Sequence, residues 1–114
     1  MHKLGFKYGL IFIICLMAYK PLSAQQFPDF HFENISTADG LSDNTITCLF
    51  QDNKGFLWIG TGNGLNRYDG NIVTTYFYEE GNANSLGGNF ISGIMQDDAG
   101  VFWIGTRDGG ITRL

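Results

Sequence analysis

From residue 44 onward, apolar and polar side chains alternate with a period of two in short runs, and each run ends in a cluster of Gly, Asn or Asp. That pattern marks half-buried strands joined by tight turns. Thr45 to Gln51 is followed by Asp52-Asn-Lys-Gly55, Phe56 to Thr61 by Gly62-Asn-Gly64, and Leu65 to Tyr68 by Asp69-Gly70, before Asn71 to Tyr78 closes the unit. The expected element is a four-stranded antiparallel meander. Its first two strands are apolar on both faces: Ile46, Cys48 and Phe50 lie opposite Leu49, and Phe56 and Trp58 lie opposite Leu57 and Ile59. Such a sheet must be covered on both sides. The last strand, with Thr74, Tyr76 and Tyr78 against Thr75 and Phe77, is wetter and suits an outer edge.

The unit then repeats. Asn44 to Gly64 aligns with Asn89 to Gly109, and 10 of the 21 positions are identical. After Gly109 one extra Gly shifts the register, so Leu65-Asn-Arg-Tyr68 corresponds to Ile111-Thr-Arg-Leu114. Backwards, Phe32, Ala38 and Leu41 match Phe77, Ala83 and Leu86 at the same spacing. The 11 residues from Glu79 to Asn89 suffice to recross three interstrand gaps of about 4.8 Å and begin a new inner strand. Four-stranded sheets that restart at their inner strand and stack face to face are blades of a β-propeller. The expected fold is therefore all-β: two four-stranded antiparallel blades of an incomplete propeller, preceded by an orphan outer strand at Phe30–Ile35. With about 45 residues per blade, residues 25–114 hold two blades, fewer than the four or so that closure takes, as in the amino-terminal part of a longer protein.

The start of the chain carries an address. Lys3 and Lys7 precede an apolar run from Tyr8 to Ala18, and Lys20-Pro-Leu-Ser-Ala24 ends it with a helix breaker and small residues. This is the layout of a secretory signal peptide, with a helix cut after Ala24. An 11-residue apolar run makes only about 17 Å of helix, short of the roughly 30 Å hydrocarbon core. Cys15 follows Ile13 and Ile14 rather than the small residue that lipoprotein cleavage needs. The organisation expected is a signal peptide over 1–24, a strand and linker over 25–43, a first blade over 44–88 and a second, truncated blade over 89–114.

Composition changes the picture in two respects. The chain is 44% hydrophobic and 15% aromatic with 16 Gly and 2 Pro, which suits short strands and excludes disorder as the main state. Its formal charge of −4 conceals an asymmetry, because Lys3, Lys7 and Lys20 lie in the leader and every carboxylate lies beyond it. The chain beyond residue 24 is strongly acidic, which disfavours nucleic acid as a partner. Cys48 is then the one remaining cysteine, so no intrachain disulfide or thiol metal cluster is expected and the residue reads as core.

Candidate chemistry is sparse. Asp52 and Asp97 each stand three residues before a Gly and six before a Trp, and read as turn heads that accept a backbone N–H rather than as acid catalysts or cation ligands. Trp58 and Trp103 read as interblade packing rather than sugar platforms. Gly60-Thr-Gly-Asn-Gly64 lacks the Lys and the following helix of a phosphate loop and reads as a hairpin turn. His31 alone would have to serve any phosphorylated, metal or catalytic histidine site, and Asn34-Ile-Ser36 satisfies a glycosylation sequon with no expected use. No cofactor is implied. Arg107 and Asp108 replace Gly62 and Asn63 at one hairpin, where exposed turns place recognition, and are the candidate ligand contacts.

Gly40-Leu-Ser-x-Asn44, Ile46, Gln51-Asp-x-x-Gly55, Leu57-Trp-Ile-Gly-Thr61 and Gly64-Leu-Asn-Arg-Tyr-Asp-Gly70 resemble the two-component regulator propeller repeat, and Gln96-Asp-x-x-Gly100 with Phe102-Trp-Ile-Gly-Thr106 is similar. The resemblance covers nearly all of Phe30 to Leu114. It implies the periplasmic sensor region of a bacterial hybrid two-component histidine kinase, which leads through an immunoglobulin-like domain and a membrane helix to the kinase and its phosphorelay. It further implies a small molecule or oligosaccharide as ligand, with carbohydrate breakdown products the expected signal. The parent would be an inner-membrane protein, membrane-attached only through a downstream part, and is compatible with a dimer. The segment itself is expected to be non-catalytic. The alternatives are part of a secreted propeller glycosidase or lyase, whose paired carboxylates would line the central channel, or an adhesion module.

Overall fold

The structure, a computed structural model, describes residues 28–114, of which 33–114 form one compact unit. The expected signal peptide lies outside the described residues. Seven strands follow one short 3-10 turn: β1 (Ile46–Gln51), β2 (Leu57–Thr61), β3 (Gly64–Tyr68), β4 (Val73–Tyr76), β5 (Ile91–Gln96), β6 (Phe102–Thr106) and β7 (Gly110–Arg113). They form two antiparallel meanders, one in the order β1-β2-β3-β4 and one in the order β5-β6-β7. The fold is all-β, as the alternation predicts, with two separate sheets and Trp58 and Trp103 at equivalent places on their second strands.

Directly paired residues on neighbouring strands share a face, so the registers fix what each sheet presents. On the first sheet Cys48, Phe50, Trp58, Gly60, Leu65 and Tyr76 lie on one face. On the second sheet Ile91, Ile94, Phe102 and Ile104 share a face. These two faces meet. Trp58, Leu65, Ile91 and Ile104 form a buried cluster with Leu86 from the connecting segment, and Cys48, Phe50, Tyr76, Ile94 and Phe102 pack around it. The Trp58 ring stacks on Tyr76 at 5.8 Å and tilts over Phe102 at 4.9 Å, while Phe50 meets Phe102 edge-on at 6.1 Å. Cys48 is thus a free thiol packed against the core, as read from its apolar neighbours.

The other face of the first sheet is covered by the segment before β1. A capping box closes the short turn Thr37–Asp39, in which the Ser36 hydroxyl accepts from the Ala38 N–H and the Asp39 carboxylate accepts from the Ser36 N–H at 2.9 Å. Leu41 is buried beyond it. Ser42 is locked onto the sheet: its N–H donates to the Asn66 Oδ1 at 3.0 Å, the Asn66 amide donates back to its hydroxyl at 2.9 Å, and that hydroxyl lies 3.0 Å from the Thr61 hydroxyl. Asn66 is wholly buried yet satisfied, since its amide also donates to the Ile59 carbonyl. The second sheet repeats the arrangement, with the Gly87 N–H donating to the Thr112 hydroxyl at 2.9 Å.

Four expectations are corrected. A β-bulge between Ile46 and Cys48 pairs Ile46 with Thr61 and turns it to the face of Leu49 and Ile59, away from Cys48 and Phe50. Leu49 and Ile46 are exposed rather than covered, because no sheet lies over the inner part of that face. The second sheet has the three strands β5 to β7, and residues 30–35 form no strand rather than an orphan outer one. An outer strand exists only through its ladder to a third strand, and neither that segment nor β7 has such a partner here. Finally, β4 is shorter than Asn71 to Tyr78 and ends at Tyr76.

The burial of the two indoles differs because one has a facing sheet and the other does not: Trp58 is 4% exposed and Trp103 38%. Trp58→Ala should therefore lower stability by about 3 to 5 kcal/mol through the cavity it leaves. Trp103→Ala should cost clearly less. Urea unfolding of both variants in dilute solution checks the order, and equal losses would contradict the packing described.

Candidate functional site

Each β1–β2 type turn is organised by one carboxylate. Asp52 accepts from the Lys54 and Phe56 N–H groups through Oδ1, both at 2.9 Å, and from the Trp58 indole N–H through Oδ2 at 2.9 Å. Asp97 repeats the set with Ala99, Val101 and the Trp103 indole, at 3.0, 2.9 and 3.1 Å. Gly55 and Gly100 supply the positive φ of 90° and 84° that the turns require. The turn role is the one read from spacing. The indole bond is an addition to that reading, although the repeated six-residue interval from Asp to Trp carries the signal: it spans one hairpin and brings the two side chains to the same end of the sheet.

These bonds account for the electrostatics. Burial of Asp52 pushes its carboxyl up, but the Trp58 indole and the Phe56, Lys54 and Gly55 amides together outweigh it and hold the group below its ordinary value of 3.8. Asp97 is also lowered, chiefly by Trp103 and then by the Val101 N–H. Asp69, heading the β3–β4 turn, is lowered by the Ile72 and Asn71 amides, which donate at 2.7 and 2.8 Å. None of the three is poised to exchange a proton near neutral pH.

Arg107 and Asp108 stand exposed in the β6–β7 turn. The Arg107 guanidinium lies 4.4 Å over the Phe90 ring and the backbone N–H of Arg107 donates to the Phe90 carbonyl at 2.9 Å, so the residue also anchors the turn. In the first sheet the equivalent bond runs from the Gly62 N–H to the Thr45 carbonyl at 3.1 Å. Gly109 in this turn lies against Gly87, where a Cβ on either residue would collide with the other's backbone. Two cavities open along the seam between the sheets. One of about 370 Å³ is lined by Trp58, Tyr76, Ser85, Leu86, Thr112 and Leu114, and one of about 400 Å³ by Asp52, Lys54, Arg67, Gln96 and Phe102. Arg107 and Asp108 line neither. His31 and Asn34 are exposed. Among the described residues no three His, Cys, Asp or Glu side chains gather as for a metal ion.

The paired meanders, their repeated Asp–Trp turns and the face-to-face seam define a segment of a β-propeller. Residues 40–63 and 85–108 each match the two-component regulator propeller repeat. Over 67 residues it is 34% identical to Histidine kinase P4 of Formosa agariphila, covering 58% of this chain and 5% of that protein. Its fold is similar to those of the extracellular domains of BT3049 and BT4673, assigned as hybrid two-component systems of B. thetaiotaomicron. For BT3049 the TM-score is 0.66 at 34% identity, over 71% of this chain and 11% of that one. For BT4673 it is 0.57 at 35% identity, over 64% and 10%. The chain thus spans a small part of the proteins it resembles.

Asp52→Asn would turn an amide NH₂ toward the indole N–H while Oδ1 keeps the turn, and should cost about 1 to 3 kcal/mol. Asp97→Asn should cost less, since Trp103 is partly solvated. Both carboxyls are depressed in the folded state, so their stabilisation is complete above the ordinary 3.8 and is lost as pH falls through the lower folded values. Unfolding followed as a function of pH should therefore show a steep loss below about pH 4 that is shallower in Asp52→Asn. An unchanged acid limb would contradict the assignment.

Proposed function

We propose that the chain is part of a ligand-sensing propeller on the periplasmic side of the inner membrane, in a hybrid two-component histidine kinase whose phosphorelay responds to carbohydrate. The observation that carries this reading is the likeness, at about one third identity and over 71% and 64% of the chain, to extracellular domains of hybrid two-component systems. An exported domain fits the signal peptide expected over residues 1–24, and no helix among the described residues is long and apolar enough to cross a membrane. A non-catalytic role fits the use made of the repeated carboxylates: Asp52 and Asp97 are spent on turn amides and indoles, with their proton affinities lowered rather than raised. The ligand is a small molecule or oligosaccharide, held by turns from many blades around the complete ring. Arg107 and Asp108, exposed on the longer turn of the second sheet, are this segment's contribution to that rim.

Calorimetric titration of the whole extracellular region containing these blades, against oligosaccharides released from complex carbohydrates, should give saturable binding without turnover. The 114-residue chain alone should give no saturable heat. Binding by the short chain at the affinity of the whole region, or hydrolysis of any sugar, would contradict the reading.

A further inference from the structure

The hairpin between β2 and β3 joins a labile dipeptide to a bond from the neighbouring unit. Asn63 is exposed and is followed by Gly64, the setting in which an asparagine amide is most open to attack by the next main-chain nitrogen, because glycine has no side chain to hinder the approach. The attack requires the Gly64 nitrogen to lose its proton and to swing onto the Asn63 Cγ. In this structure it is held from both. Its N–H donates to the Asn89 carbonyl at 2.6 Å, and Asn89 belongs to the segment that enters the second sheet at β5.

The turn is also pinned from its own sheet. The Asn63 N–H donates to the Thr61 hydroxyl at 3.1 Å, that hydroxyl donates to the Gly64 carbonyl at 2.9 Å, and the Phe77 ring lies so close that a Cβ on Gly64 would be 2.9 Å from its Cε1. Asn89 is in turn placed by the Tyr78 N–H, which donates to its Oδ1 at 2.7 Å. The restraint on the reacting nitrogen therefore comes from the connection between the sheets, while the amide it would attack faces solvent.

We propose that Asn63 is a site of spontaneous deamidation whose rate is set by opening of the seam. When the connection lifts and frees the Gly64 N–H, the deprotonated nitrogen bonds to the Asn63 Cγ, the Cγ–Nδ2 bond breaks, and ammonia leaves carrying the main-chain proton. The succinimide so formed takes up water, giving aspartate when the side-chain carbonyl is attacked and opened there, and isoaspartate when the ring opens at the main-chain carbonyl. Aspartate suits the scaffold, because the second sheet carries Asp108 at the equivalent place in its own exposed turn. Isoaspartate lengthens the main chain of the turn and disturbs the pairing of Thr61 with Gly64. Either product adds a carboxylate to a turn that is otherwise neutral, so a modified chain records that its two sheets have parted. The inference does not rest on the sensing role.

Peptide mapping of the folded chain held at neutral pH should show deamidation at Asn63 slower by at least about tenfold than in guanidinium chloride strong enough to unfold it, the ratio that an opening free energy of about 1.4 kcal/mol imposes. Equal rates in the two conditions, or no product at Asn63 in the denaturant, would overturn the proposal. Below the unfolding transition, a denaturant series should speed amide exchange at Gly64 and deamidation at Asn63 in parallel, because both wait on the same opening. Deamidation that stays level while exchange rises would overturn the seam as the gate. Asn89→Ala, which removes the bond that places the gating carbonyl, should raise the folded-state rate several-fold and leave the denatured-state rate unchanged. An unaltered folded-state rate in that variant, with native circular dichroism, would also overturn the gate, and the denaturant series on the unmodified chain decides the matter if the variant does not fold.

Discussion

The structure depends on how closely two sheets can approach at one point. Ile91 is completely buried over Gly60 of the facing sheet, where a Cβ would lie 2.7 Å from the Ile91 Cγ2 and would also collide with the Cys48 sulfur. The missing side chain is therefore the socket for the next blade's first residue. With that distance set, Trp58, two residues away on the same face, reaches both Tyr76 and Phe102, and Leu86 fills the space beside them. Asp52 then fixes the indole from the end of the sheet, so the turn and the seam share one hydrogen-bond centre. On the open face of the second sheet Gly105 occupies the equivalent position, where its would-be Cβ would meet the Ser92 hydroxyl at 3.0 Å and the Gly93 backbone at 3.8 Å, all within its own sheet.

The two sheets are tied to one another as well as packed. The Gly64 N–H donates to the Asn89 carbonyl at 2.6 Å and the Tyr78 N–H to the Asn89 side chain at 2.7 Å, while on the face away from the seam Asn66 is tied to Ser42 and Ile59. The Arg107–Gly109 turn, one residue longer than its counterpart Gly62–Asn63, is braced by Phe90 and by the close passage of Gly87, so its exposed side chains project from a fixed base. Recognition on such a scaffold is a property of the rim and stability a property of the seam.

Most of the strands were legible because period-two alternation and turn chemistry agree locally, and because a second copy identical at 10 of 21 positions excludes coincidence. Asp52 and Asp97 were legible as turn heads for the same reason. The face of Ile46 was not, since a bulge inserts a residue without any side-chain signature and reverses every parity before it. Trp103 carries the same motif as Trp58 yet is not buried, because burial here is conferred by a neighbouring sheet and not by the strand itself. Residues 30–35 failed to form a strand on the same ground. Arg107 was singled out by its difference from Gly62, but its stacking on Phe90 depends on a segment that arrives from the connection between sheets.

A double-mutant cycle between Gly60→Ala and Ile91→Ala tests the seam most directly. Each change alone should destabilise the chain, the first by overpacking at about 1 to 3 kcal/mol and the second by a cavity at about 2 to 5 kcal/mol. Together they should cost less than their sum by more than about 0.5 kcal/mol, because the methyl added at Gly60 enters the space vacated at Ile91. Strict additivity would mean that the two residues do not share that space, and would contradict the face-to-face packing from which the rest of the account is built.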